Sequence, residues 1–118
     1  MSESVPVHFD LRIRLFREEK YFGPGIAELM ERVERTGSIS AACREMGMAY
    51  SKAWKILRRA EHDLGFPLLE AVSGGASGGS SRVTERGKEI LTRYRAMEAA
   101  VKAYAEEQFE RYFGEDIS

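Results

Sequence analysis

Residues 7–16, VHFDLRIRLF, alternate without a break. Val7, Phe9, Leu11, Ile13 and Leu15 fall on one side, and His8, Asp10, Arg12 and Arg14 on the other. A period of two in such residues predicts a strand over 7–16 with one buried face. After EEKYFGPG the period changes. Pro24 suits a first helical turn, and Ile26, Leu29, Met30 and Val33 recur at helical spacing, predicting a helix over 24–36. Gly37 is placed to end it, and Ser38 can cap a short helix over 38–46, in which Ile39, Ala42, Cys43 and Met46 share a face. Gly47 stops that helix. A third follows over 50–64, with Ala53, Ile56, Leu57, Ala60 and Leu64 in one apolar arc and Ser51, Lys55, Arg58, Arg59 and His62 opposite, Lys52 lying at the edge. The segments FPLLEAV and RVT predict a hairpin over 66–84. From residue 85 to 113 the chain reads as one long helix, with Thr84 as its cap. Along it Ile90, Tyr94, Met97, Val101 and Tyr104 are separated alternately by four and three residues, and the apolar line then drifts to Ala105, Phe109 and Tyr112.

Strand, three helices, hairpin and long helix make a mainly α fold with a small β hairpin (α+β). Two short helices joined by a three-residue turn and followed by a hairpin predict a winged helix-turn-helix. The steric demands agree. Ala41, Ala42 and Cys43 are small enough for a close helix crossing, and Gly47 tolerates the positive φ that such a turn needs.

At 118 residues the chain suits a single domain over 1–118. Its formal net charge of −1 suggests no polyanionic partner, but the sum hides a local excess. Residues 38–62 hold five lysines and arginines (Arg44, Lys52, Lys55, Arg58, Arg59) against two glutamates, Glu45 and Glu61. Such a face can neutralise phosphates, and a helix fits a major groove. The charges alone would suit any solvated helix face; together with the small residues, the turn glycine and the hairpin they favour DNA. One cysteine allows no internal disulfide and fits a reducing cytoplasm. Two histidines and that cysteine offer no metal-ligand spacing, so neither metal nor cofactor is expected. No basic leader and no membrane-length apolar run is present in the sequence.

The stretch SGGASGGSSR (73–82) contains four glycines and four serines. Gly74 and Gly79 have the spacing of a nucleotide-phosphate loop, but Ser80 stands where that loop needs lysine. A domain linker would leave only one helix beyond it. The third reading is the wing, in which Gly74 and Gly75 let the backbone approach a phosphate and Arg82 adds a charge at the base. Cys43 reads as a core residue, His8 and His62 as solvated, and Trp54 as packing beneath the wing. No catalytic constellation is visible, and the chain is not expected to be an enzyme.

The run SISAACREMGMAYSKAWKILRRAE resembles the DNA-binding domain of the molybdate-responsive regulator ModE, a relative of the LysR-type helix-turn-helix domains. The resemblance is carried by GSIS (37–40), AA (41–42), GM (47–48), Tyr50 with Ala53 and Trp54, GG-x-x-GG (74–79), and Thr84 with Gly87, and extends from about residue 23 to 95. It implies a bacterial transcription regulator that binds DNA as a homodimer, with the third helix in the major groove, the glycine-rich loop as wing, and the N-terminal strand and last helix at the dimer interface. The family continues into a molybdate-binding domain, and a chain ending at Ser118 is expected to carry no molybdate site. Ala49 stands where related families usually have a serine cap, and Ala71 and Ala76 where the wing often has basic residues.

The resulting expectation is a dimeric, sequence-specific regulator acting on double-stranded DNA. Ser51, Lys52, Lys55 and Arg58 are the candidates for the groove, and Arg59 and Ser38 for phosphates. Tyr50 sits at the helix entry, and Gly74, Gly75 and Arg82 would follow the backbone. Ile90, Tyr94, Met97, Val101 and Tyr104 would form the dimer seam. The alternative is a winged-helix module for protein interaction that has lost DNA binding.

Overall fold

A computed structural model describes residues 5–72 and 80–114. The order is β1 (Leu15–Phe16), β2 (Lys20–Phe22), α1 (Pro24–Thr36), α2 (Ile39–Met46), α3 (Tyr50–Leu64), β3 (Leu69–Ala71), β4 (Ser81–Val83) and α4 (Glu85–Phe113). β1 pairs antiparallel with β2, and β3 with β4, as two separate ladders.

Local chemistry sets each boundary among the helices. Pro24 opens α1, and Gly37 closes it at φ 73°, giving its N–H to the Val33 carbonyl. The Ser38 hydroxyl oxygen then accepts from the Ala41 amide, 3.1 Å away, and starts α2. Gly47, at φ 64°, ends α2 and lets the chain reverse into α3 within three residues. Both glycines occupy the left-handed region, where a side chain would be strained.

The core lies where α1, α2 and α3 meet. Leu29, Met30, Val33, Ala42, Ala53, Leu57 and Ala60 are buried there, closed by Phe22 on one side and on another by Val83 of β4 and by Leu68, which precedes β3. α4 joins it only through its first turns, at Gly87, Leu91 and Tyr94. At about 1.5 Å per residue, the 29 residues of α4 extend well past this core. The radius of gyration, 18.0 Å, accordingly exceeds the roughly 13–14 Å of a compact chain this long. Among the described residues no helix is long and apolar enough to cross a membrane.

The strand expected over 7–16 forms ladder bonds only at Leu15–Phe16. Its pattern decides its burial from Phe9 onward: Phe9, Leu11, Ile13 and Leu15 are half-buried and His8, Asp10, Arg12 and Arg14 are exposed, but Val7, expected on the buried face, is exposed as well. The partner is a helix. Phe9 lies 5.2 Å from Phe109, and the Tyr94 hydroxyl donates to the Ile13 carbonyl at 2.7 Å. Alternation requires one apolar neighbour surface and not a second strand, and α4 supplies it.

The wing ladder is fastened to the helices by polar bonds. The Ser81 amide donates to the Gly37 carbonyl (2.9 Å), and the Leu68 amide to Glu61 Oε2 (2.8 Å). The Thr84 hydroxyl donates to the Pro67 carbonyl (2.7 Å), while its oxygen accepts from the Gly87 amide (2.9 Å) as the cap of α4.

Candidate nucleic-acid interface

α3 turns Ala53, Leu57 and Ala60 into the core, which leaves Tyr50, Ser51, Lys52, Lys55, Arg58, Arg59 and His62 exposed. The predicted groove residues therefore share one solvent-facing surface. Lys52, Lys55 and Arg58 enter no ion pair among the described residues. Ala49 provides no side-chain cap, so the first amides of α3 have no side-chain partner from that position.

The two acids in the basic segment are both occupied elsewhere. Glu45 is gripped by Arg32, at 2.8 Å, and by Arg35, and these guanidiniums hold its carboxyl below the usual carboxylate range. Glu61 accepts the Leu68 amide at the base of the wing. The exposed face of α3 thus carries Lys52, Lys55 and Arg58 with no acid paired to them among the described residues.

Trp54 is half-buried against the core. Its outer face meets Tyr50 edge-on, with ring centroids 6.3 Å apart, and the Arg58 guanidinium lies 5.2 Å from its ring centroid. Trp54 is therefore the platform that orients Arg58, a role the sequence reading did not assign. An aromatic residue four positions before an arginine on a helix was the available signal.

Two further predicted contacts carry partners of their own. Arg59 forms an ion pair with Glu19, from the turn between β1 and β2. Arg82 pairs at 2.7 Å with Glu70, its opposite residue in the wing ladder. Ser38 spends its oxygen on capping α2. Gly74 and Gly75 lie outside the described residues; on either side of them the chain is a hairpin, extended by a bond from the Val72 amide to the Ser80 carbonyl (3.1 Å).

The expected dimer seam divides in two. Tyr94 is 2% exposed: its ring stands edge-on to Phe22 at 5.1 Å and its hydroxyl is bonded to Ile13, so it belongs to the protomer's own core. Ile90 is half-buried against the same core. Tyr94 is thus taken up inside the protomer, where α4 packs on α1 and the N-terminal segment, while Ile90 keeps part of its surface exposed. Met97, Val101 and Tyr104 are 49%, 38% and 64% exposed, and Tyr112 and Phe113 follow them, also exposed.

The chain matches the model for the bacterial regulatory helix-turn-helix proteins of the lysR family over residues 27–88. It is 40% identical to the molybdenum-pterin-binding protein MopB of Rhodobacter capsulatus over 62% of this chain and 27% of that protein. It is 32% identical to the molybdenum transport protein ModE of Azotobacter vinelandii, over 70% of this chain and 31% of that one. With the DNA-binding transcriptional dual regulator ModE of Escherichia coli K12 the identity is 26%, over 72% and 33%. The chain thus spans about a third or less of the length of these curated relatives. The matched residues run from α1 through the wing to the first turn of α4, the elements that bury one another and present α3, and the chain belongs to the lysR family of bacterial regulatory helix-turn-helix proteins.

Proposed function

We propose that the protein is a sequence-specific regulator that binds duplex DNA as a homodimer. α3 enters the major groove, and the glycine-rich stretch 73–82 follows the backbone beside it. The observation that carries this reading is the exposed face of α3, where Lys52, Lys55 and Arg58 stand unpaired among the described residues while the acids of the same segment are engaged elsewhere. Cations held on a helix whose opposite face is locked into a core can be brought to a groove with little loss of side-chain freedom beyond their own. Base contacts then fall to Ser51, Lys52, Lys55 and Arg58, and phosphate contacts to Arg59, Arg82 and the Ser38 hydroxyl, with Tyr50 at the entry.

The second copy is placed on α4. Met97, Val101 and Tyr104 expose an apolar line on a helix that has left its own core, and a two-fold partner buries it against the same line. Names of the relatives tie them to molybdenum, and we place no molybdate site in residues 1–118. The test is selection of genomic fragments by the purified protein, followed by footprinting and titration over a range of salt with and without molybdate. Two related half-sites about one helical turn or more apart, a steep salt dependence and no response to molybdate are expected. An affinity for duplex DNA that is the same for every sequence would overturn the regulator reading. The absence of binding at any salt would leave the protein-interaction module in its place.

A further inference from the structure

The β1–β2 hairpin lies before the region that matches the family model, which begins at residue 27. Even so it packs against α3, and between them is a cleft of about 370 Å³. Phe22, Ile26 and Ile56 form part of its floor. Its rim carries Lys20 from β2 and Lys52, Lys55 and Arg59 from α3. Four cations from two elements thus converge on one notch with an apolar base. Glu19 is the acid that answers them, through its ion pair with Arg59. One carboxylate against four cations leaves the notch strongly positive. An apolar floor limits the water available to screen that charge, so an anion seated there is held more firmly than on an open surface. The carboxylate itself is easily replaced: Glu19 and Arg59 have side chains 65% and 49% exposed, and an exposed ion pair is weak.

We propose that this notch seats a backbone phosphate of the bound duplex, with Lys20 as a cation from outside the helix-turn-helix and Glu19 as an internal stand-in that the phosphate displaces from Arg59. The proposal rests on the DNA-binding reading above. It makes the hairpin a second positioning element beside α3, along the edge where Lys52 and Lys55 also line the notch. Lys20 then contributes affinity without sequence preference, and Glu19 lowers affinity for every duplex alike, because its removal frees Arg59.

The experiment compares the wild-type chain with Lys20→Ala, Glu19→Gln and Lys55→Ala on matched and mismatched duplexes over a range of salt. Lys20→Ala should weaken binding to both duplexes equally and make the salt slope shallower by about one unit. Glu19→Gln should tighten binding to both by up to about fivefold, the most that an exposed ion pair can withhold. A gain of affinity cannot come from misfolding, so this variant guards against an unstable Lys20→Ala. If Lys55→Ala loses its preference between sites while Lys20→Ala and Glu19→Gln behave as wild type, the notch is overturned and the reading of α3 stands. If wild type binds no duplex at all, the regulator reading falls and the notch with it. Inorganic phosphate at constant ionic strength provides a separate arm. Millimolar competition with DNA that disappears in Lys20→Ala would put the duplex and the free oxyanion in the same notch, as proposed; phosphate that binds through Lys20 without competing with DNA would show a site for free oxyanion and overturn the assignment to the DNA backbone.

Discussion

Gly87 stands in the first turn of α4, where a Cβ would come within 2.7 Å of the Leu68 carbonyl oxygen, 2.9 Å of a Val83 methyl and 3.0 Å of the Thr84 hydroxyl. Gly87→Ala therefore sets two effects against each other. Alanine favours helix over glycine by up to about 1 kcal/mol, and by less so near the end of a helix. Against this stands the contact with Leu68, a backbone atom that cannot swing aside as a side-chain tip can. The same carbonyl accepts the Thr84 amide at 2.9 Å, so moving it strips a bond from the joint between the wing and α4. Forcing one extra carbon into a packed site costs about 1–3 kcal/mol, and displacing the Thr84 hydroxyl from the Gly87 amide removes a cap worth about 1 kcal/mol. The clash wins, and the net effect is a loss of about 1–3 kcal/mol. Urea or thermal unfolding at a fixed protomer concentration measures it, since the proposed dimer would make stability depend on concentration. At about 4–8 °C per kcal/mol for a domain of roughly this size, the midpoint should fall by at least about 4 °C. A variant as stable as wild type, or more so, would refute the seating of α4 against the wing strand.

Lys55→Ala should cost about 1–3 kcal/mol on the preferred site and flatten the preference between sites; retention of the full preference in duplex titrations would move base reading off that residue. Arg82→Ala should weaken all duplexes alike with a salt slope shallower by about one unit, whereas Glu70→Gln, which frees Arg82 from its 2.7 Å partner, should strengthen them. Placing Glu at both Met97 and Val101 should give folded monomers in sedimentation, because neither side chain is buried in the protomer. Tyr94→Phe should lose about 1–3 kcal/mol by leaving the Ile13 carbonyl without its donor, read by chemical unfolding. Glu31 is held below the ordinary carboxylate range by the two-pronged Arg95 contact, at 2.7 and 2.8 Å. A depressed carboxyl stabilises the fold above its unfolded pKa and loses that contribution as pH falls through the folded value. Glu31→Gln should therefore be less stable than wild type at pH 7, by about 1 kcal/mol or less, and the difference should close as pH drops below the ordinary glutamate value of 4.5.

The helices were legible because caps and periodicity act locally. Pro24, Gly37, Ser38, Gly47 and Thr84 each mark a boundary that the structure keeps. The β2 strand was not legible, since KYF is three residues of no clear period beside a turn. The alternating N-terminal segment revealed its buried face but not what covers it, because a helix and a strand both satisfy a period of two. At the candidate interface, the exposed face of α3 followed from its apolar arc. What the sequence withheld were the pairings: Glu45 with α1, Glu61 with the wing, and Glu19 with Arg59 come from positions between 7 and 40 residues apart. Tyr94 was misplaced for a related reason. Its spacing joins it to Met97 and Val101, but α4 leaves its own core between Tyr94 and Met97, and no periodicity marks where packing stops.

The bonds from Ser81 to Gly37 and from Leu68 to Glu61 carry a consequence for the duplex. They clamp the base of the wing to the joint between α1 and α2 and to the last turns of α3, so in the proposed binding mode helix and hairpin would meet DNA as one caliper. The gap between its jaws is set before any duplex arrives. Adjusting to that gap is then left to the nucleic acid, whose groove width and stiffness vary with base sequence. Discrimination should extend to base pairs that no side chain reaches, those between the groove under α3 and the strand beneath the wing. Substitutions there with flexible pyrimidine–purine steps or stiff A-tracts would change affinity in proportion to the energy of bending them. Cutting the clamp with Glu61→Ala, which removes the acceptor of the Leu68 amide, would let the caliper open and make those positions silent.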